Sequence, residues 1–343
     1  MSAPCVTVLM PVYNGEQYLR EALESILSQT FRDFEFLIIN DGSIDGSVAI
    51  IQSYRDPRIR LLHNEGNQGL IATLNRGIIM AKTEYIARMD CDDISFAPRL
   101  EKQISFMSSN PDVAVCGAAV QFFGEKNSPR YYPTDDSSIR AHLLFECPLA
   151  HPAVMIRRKI FMEQGLMYSS SYTQCEDYDL WTRIPRPYRL ANLGQILLKH
   201  RVHNRQVSRE YAVCQLNGAD AIRKRALKNL GVTVNSENLD LHSMIARRKA
   251  DSTRDFLLRS EKWLTCLLNL DFNEDIYDKM AFQKTIGYFW WETCFHSTGL
   301  GFEALARFRA SYLASFADIS FKYKILFLLK CLFRLRQNKA QSV

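Results

Sequence analysis

Two acidic clusters stand out as residues able to do chemistry. The first, Arg88-Met89-Asp90-Cys91-Asp92-Asp93, closes a short apolar stretch that reads as a strand. Residues two apart in a strand share a face, so Asp90 and Asp92 can address one ligand together. Carboxylates crowded on one spot repel each other and drift towards neutrality unless a cation sits between them. Mg²⁺ or Mn²⁺ accepts such oxygen ligands and bridges them to substrate phosphates. The same run also reads as an acidic loop capping a helix that begins near Ala97; its place after a buried-looking strand tilts the reading towards metal. The second cluster is Glu176-Asp177-Tyr178-Asp179-Leu180-Trp181. Its first acids suit a helix start, where the dipole favours negative charge, and one of Glu176 and Asp177 also suits a general base acting on a hydroxyl. A lone histidine is more often structural than functional, but His200 and His203 follow a strand and are in place to reach a metal or a diphosphate.

Three turns add polar groups. Pro11-Val12-Tyr13-Asn14-Gly15 offers an aromatic ring and an amide to hold a base. In Asn40-Asp41-Gly42-Ser43 the aspartate is either a turn former or an acceptor for a base N–H. Asn64 to Gly69 forms the third. No Gly-x-Gly-x-x-Gly is present, so phosphates are not cradled in the Rossmann manner, and a cation has to neutralise them instead.

The elements that position these residues alternate. Apolar runs at Val6 to Val12, Phe34 to Ile39, Ile59 to Leu62, Tyr85 to Met89 and Val113 to Phe122 read as strands. Between them, Glu16 to Gln29, Ser47 to Tyr54, Leu70 to Met80 and Ala97 to Asn110 read as helices. This is the pattern of an α/β fold with a mostly parallel sheet covered on both faces. Ligands bind beyond the carboxyl ends of such strands, and Asn14, Asp41, Asn67 and Asp90 all follow strand ends. Residues 124–205 are more irregular. From about Glu210 helical patterns dominate, including Ala212 to Asn229 and Leu239 to Leu268, which predicts a boundary near residue 208: a catalytic domain over 1–208 and a helical region over 209–343.

The chain has 343 residues, 47% of them apolar, enough for a sizeable core. Its nine cysteines show neither a C-x-x-C pair nor zinc spacing, which fits a reducing compartment. No signal peptide or membrane-spanning run is evident, so a cytoplasmic protein is expected. Six basic residues and no acidic ones follow Asp318, which accounts for the whole net charge of +6. A basic tail rather than a basic fold argues against nucleic acid as a partner. As a helix, Phe321 to Arg336 places Ile325, Leu328, Cys331, Leu332 and Leu335 opposite Lys322, Lys330, Arg334 and Arg336. The tail is then either a helix packed on its domain or one lying on the anionic inner leaflet, which would make the protein peripheral on the inner membrane.

Taken together, Val8-Leu9-Met10-Pro11-Val12-Tyr13-Asn14, Ile39 to Asp45, Asn67-Gln68-Gly69, Arg88 to Asp93 and Cys175 to Trp181 resemble the family 2 glycosyltransferases with the GT-A fold. Order and spacing match over roughly the first 205 residues, and the likeness is to bacterial enzymes that build O-antigen, capsule or other surface polysaccharides. The resemblance implies a nucleotide-sugar donor, a UDP-sugar for preference, and a saccharide or lipid-linked acceptor. Pro11, Val12, Tyr13 and Asn14, with Glu16 nearby, would line the nucleotide pocket, and Asp41 would bind the uracil ring. Asn67 and Gly69 would lie along the nucleoside. Asp90 would face ribose and metal, Asp92 would ligate Mn²⁺ or Mg²⁺, and Asp177 would be the base of an inverting displacement. His203 would match a further metal or diphosphate ligand. Leu74 stands where many relatives carry an arginine, so Arg88 or Arg201 is the expected phosphate-facing cation. Nucleotidyl transfer also uses acidic metal sites on an α/β sheet, but it usually needs a glycine- and lysine-containing loop that residues 8–20 lack. A non-catalytic membrane scaffold explains the tail but not two acidic clusters.

Overall fold

The computed structural model describes residues 4–203, 211–249, 251, 253–272 and 276–335. The first part runs β1 (Val6–Val12), α1 (Leu19–Leu27), β2 (Phe34–Asn40), α2 (Ser47–Ser53), β3 (Ile59–His63), α3 (Leu70–Met80), β4 (Tyr85–Arg88), β5 (Ile94–Ser95) and α4 (Arg99–Ser109). It continues with β6 (Val113–Gly124), β7 (Ser128–Arg130), α5 (Asp136–His142), β8 (Met155–Arg157), α6 (Arg158–Glu163), α7 (Glu176–Thr182) and β9 (Arg189–Val202). Among the described residues, six α-helices follow: α8 (Ala212–Asn229), α9 (Ser236–Ala246), α10 (Arg254–Leu268), α11 (Lys279–His296), α12 (Phe302–Ala310) and α13 (Phe321–Leu332).

The strands form one mixed sheet in the order β3-β2-β1-β4-β8-β6-β9-β5, with β7 beside β6. The long ladders are parallel: β1 with β2 and β4, β2 with β3, and β6 with β9. β1 is buried along its whole length, as a strand covered on both faces must be. Pro11 has no N–H to give. Alternate residues of a strand face the same neighbour, so Pro11 shares the β4 side with Leu9, where pairing with β4 has already ended. Because β2 and β4 flank β1 on opposite sides, the connections diverge at β1 and open a crevice beyond its carboxyl end.

Helix α1 starts three residues later than the periodicity predicts, because Glu16 is tied to the β2 turn: its N–H bonds Asp45 and its carboxylate accepts from the Gly46 N–H. The run Leu239 to Leu268, expected as one helix, is two. Arg248 between them takes φ 55° and fixes the break by donating to Glu146, Glu292 and Tyr288.

Two compact units emerge from the contacts, Met1–Ile139 with Cys147–Gln215, and Arg140–Glu146 with Leu216–Val343. The expected boundary near 208 falls in 204–210, outside the described residues. Unit two has its own core, centred on Phe289, Trp290, Trp291 and Cys294 of α11. One expectation for the tail is corrected: Cys331 does not share a face with Ile325, Leu328, Leu332 and Leu335. It is buried while those four are exposed, and Arg336 and Lys339 lie outside the described residues. All nine cysteines are free thiols. Among the described residues, no helix is long and apolar enough to cross a membrane.

Candidate active site

The acidic run leaves β4 at the crevice. Asp90, Asp92 and Asp93 each place a carboxylate oxygen within 4.8 Å of the other two. Their setting is built from buried cations. Arg88, 5% exposed, donates from Nη1 to Asp90 Oδ2 at 2.5 Å. Arg99, fully buried at the start of α4, donates from Nη2 to the Arg88 carbonyl at 2.6 Å. Opposite, β5 pairs antiparallel with β9, Ile94 against Lys199. That pairing brings the end of β9 to the aspartates. His203 Nε2 lies 3.1 Å from Asp92 Oδ2, the Arg201 N–H donates to Asp93 Oδ1 at 2.8 Å, and His200 Nδ1 is 3.6 Å from Asp93 Oδ2. Tyr18, from the turn before α1, stacks near His203 with centroids 5.0 Å apart and lies under the Arg201 guanidinium.

This donor set fits a hard divalent cation. Asp93 Oδ2 is buried and makes no hydrogen bond among the described residues. Burial, then the charges of Asp92 and Asp90, push Asp93 well above the usual carboxylate range. Burial also raises Asp90, with Asp92 and Asp177 adding to it and Arg88 opposing. Burial lowers His200 to about 4, so its ring is neutral at physiological pH. Clustered carboxylates beside neutral imidazole are the oxygen and nitrogen donors that Mn²⁺ and Mg²⁺ sites use. Neither expected phosphate cation is unengaged: Arg88 pairs with Asp90, and Arg201 pairs with Glu21 at 2.7 Å.

The second acidic cluster opens α7 and is felt at the first. Glu176 is buried, while Asp177 is half-buried and therefore reachable. The Cys147 thiol faces Asp177 Oδ2 at 3.6 Å, and the Tyr178 N–H donates to Oδ1 at 2.7 Å. Burial raises the Asp177 carboxyl, while the Tyr178 N–H, Arg88 and the Cys147 thiol hold it down. Asp179 instead forms an i,i+4 pair with Arg183 at 2.8 Å and is 1% exposed, which makes it a structural acid. Between the clusters, Tyr168 OH meets His151 Nε2 at 2.9 Å. Tyr168 is held from far along the chain: the Asn75 amide of α3 donates to its carbonyl and accepts from its N–H, both at 2.9 Å.

The expected nucleotide-side residues interlock. Asn14, at φ 49°, accepts from the Ile44 N–H, and its own N–H donates to Ser43 Oγ. Asp41, 4% exposed, accepts from the Asn64 amide at 2.6 Å and from the Gln68 and Gly69 N–H groups at 2.9 Å. Asn67 also accepts from Gly69. Pro11 and Val12 are strand residues, and Tyr13 is exposed. A Cβ on Gly15 would come within 3.0 Å of Cys91 Sγ, so this turn lies against the acidic run. Gly42 sits at φ 75°, and a Cβ there would meet the Gly66 backbone at 2.6 Å. Gly42→Ala therefore combines left-handed strain of roughly 1–2 kcal/mol with a backbone clash, and should lower Tm in calorimetry. An unchanged Tm would show that the 64–69 loop shifts freely.

Sequence reasoning missed Tyr18, Cys147 and Tyr168. Cys147 and Tyr168 stand in irregular stretches without periodicity and Tyr18 in a run read as helix, and only long-range pairing brings them to the acids.

The family model described as Glycosyl transferase family 2 matches residues 7–165. An uncharacterized glycosyltransferase of Haemophilus influenzae is 30% identical over 253 residues, 70% of this chain and 77% of its own. The O-antigen biosynthesis glycosyltransferase WbnJ of Escherichia coli is 31% identical over 237 residues, 65% of this chain and 91% of its own. Among solved structures, S. aureus TarS 1-349 in complex with UDP-GlcNAc superposes with a TM-score of 0.57 at 16% identity, covering 84% of this chain and 86% of TarS. Mannosyltransferase PcManGT from Pyrobaculum calidifontis, in complex with GDP-Man and Mn²⁺, gives 0.54 at 15%, covering 80% and 78%. These likenesses bear out the expected GT-A type fold. With 77% and 91% of these two relatives covered at 30% and 31% identity, the chain belongs to glycosyl transferase family 2.

Proposed function

We propose that this glycosyltransferase is inverting and uses a divalent cation. It moves sugar from a nucleotide-sugar, a UDP-sugar for preference, to a saccharide or lipid-linked acceptor in the synthesis of cell-surface polysaccharide. The observation that carries the reading is the meeting of a three-carboxylate cluster with a second, raised carboxylate pair beyond the end of β4. The nucleotide-sugars bound by TarS and PcManGT, UDP-GlcNAc and GDP-Man, support a nucleoside diphosphate leaving group, and the O-antigen role of WbnJ supports surface polysaccharide.

Asp90, Asp92, Asp93 and His203 would hold the cation. Bound there, it supplies positive charge against the diphosphate. The chain's own residues do the rest. Asp177 accepts the acceptor's hydroxyl proton as that oxygen bonds the anomeric carbon and the bond to the diphosphate breaks on the opposite face. The Cys147 thiol and the Tyr178 N–H aim the Asp177 carboxylate. Arg88 favours the ionised forms of Asp90 and Asp177 by its field, against the burial that raises both. Incubation with a panel of UDP- and GDP-sugars and Mn²⁺, with the anomer of released or transferred sugar read by NMR, tests the proposal. No turnover of any donor, or retention of configuration, would overturn it.

A pH prediction follows from the buried pair. Burial, then the charge of Asp177, raises Glu176 to about 7, with Arg88 opposing. A raised carboxyl stabilises the fold while protonated; that contribution is complete below its ordinary value and is lost as pH climbs through the folded one. In the metal-free protein, Tm should therefore fall between about pH 4.5 and 7 relative to Glu176→Gln, which cannot titrate. Parallel melting curves for the two proteins would show that Glu176 is not raised. Asp177 acts only when deprotonated, so kcat/KM should rise with pH along a limb above the ordinary carboxylate range.

A further inference from the structure

Helix α13 is attached by a narrow seam. Phe327 and Cys331 are each 1% exposed, and the Phe327 ring sits among Trp291, Phe308 and Phe295 with centroids 5.0 to 6.0 Å away. At about 100° per residue, the direction opposite that seam points along Leu329, with Ile325, Leu326, Leu332 and Phe333 within about 60° of it. All five are exposed, Phe333 to 65%, and Phe321 at the helix start is 76% exposed. A folded chain rarely leaves so continuous an apolar strip in water unless something covers it. Lys322 is the one charge in that sector; its long stem allows the ammonium to rise away from an apolar layer. Lys324 and Arg334 are exposed on the two flanks of the seam, about 140° from Leu329, and Lys330 packs on Phe295 at 4.1 Å. No acidic residue occurs anywhere after Asp318.

That charge pattern selects the occupant. A second copy docking the same face onto itself would bury Lys322 with no acidic residue of the helix to pair it, because a two-fold interface presents one patch to its own image. An anionic bilayer surface supplies the opposite sign and an apolar layer beneath it. The helix has 12 residues, where a span needs about 20, so it lies in the plane of the interface. We propose that the outward face of α13, through Ile325, Leu329, Leu332 and Phe333, inserts into the headgroup boundary of an anionic membrane, with the Lys322 ammonium on the headgroups.

The test is co-sedimentation of the full chain, without nucleotide-sugar, so that it stands apart from the sugar-transfer reading. Vesicles of equal parts phosphatidylcholine and phosphatidylglycerol are compared with phosphatidylcholine alone. The chain should bind the anionic vesicles preferentially and release in high salt. Leu329→Ser with Leu332→Ser should weaken binding at least about tenfold, with an unchanged melting curve because neither side chain packs in the seam. Lys322→Gln should cost about fivefold. The proposal fails if the chain stays in the supernatant, if neither the leucine variant nor Lys322→Gln weakens binding, or if the leucine variant lowers Tm. It also fails if the leucine variant abolishes a concentration-dependent dimer, which would assign the face to a second copy.

Discussion

Asp177→Asn should reduce kcat by on the order of 10²–10⁴-fold, the usual loss when a positioned general base can no longer take a proton. The substitution preserves shape and the hydrogen bond from the Tyr178 N–H, so the fold should survive. Donor binding, read by calorimetry with UDP and Mn²⁺, should change little, because the proposed task of Asp177 is on the acceptor. Glu176 is the control: it lies deeper, and its carboxyl is the more strongly neutralised of the two. Transfer at near wild-type rate by Asp177→Asn would move the base to Glu176, since Asp179 is committed to Arg183.

The other large effect is on the metal side. Chelator should abolish transfer, and Mn²⁺ or Mg²⁺ should restore it. Asp92→Asn should weaken Mn²⁺ affinity on the order of 10–100-fold or more, since even outer-shell changes reach that range. UDP affinity should fall with it when metal is present and should be unaltered in chelator. This split separates a ligand from a merely acidic loop. Full activity in excess chelator, or equal UDP affinity with and without metal, would remove the cation from the mechanism. Asp93→Asn makes a useful companion, because it discharges a crowded carboxyl whose Oδ2 lacks a hydrogen bond. In metal-free protein it should be tolerated or stabilising.

Local pattern alone located much of the frame. Val6–Val12, Leu70–Met80 and Ala212–Asn229 stand where periodicity puts them, because burial on one face or both leaves its period in the residues themselves. The acidic run was legible for the same reason: it follows a strand whose carboxyl end must open on the crevice. What local pattern could not carry is pairing between distant segments. The placement of His203 against Asp92 depends on the two-residue β5 joining β9, and that of Tyr168 depends on two hydrogen bonds from Asn75. The break at Arg248 depends on Glu146, 102 residues away in sequence. The face that α13 turns outward was undecided as well: helical periodicity sets Cys331 about 40° from Phe327 and about 60° from Leu328, which fits either grouping, and the aromatic pocket of Trp291, Phe295 and Phe308 chose Phe327. Period and punctuation are written in neighbouring residues, so the sequence by itself determined β1 to β4 and β6, most helices and the edge at which chemistry gathers. Charge state and side-chain partnership depend on burial and on contacts across the chain, so only the tertiary structure decided which acids crowd, which cations answer them and which apolar face stays in water.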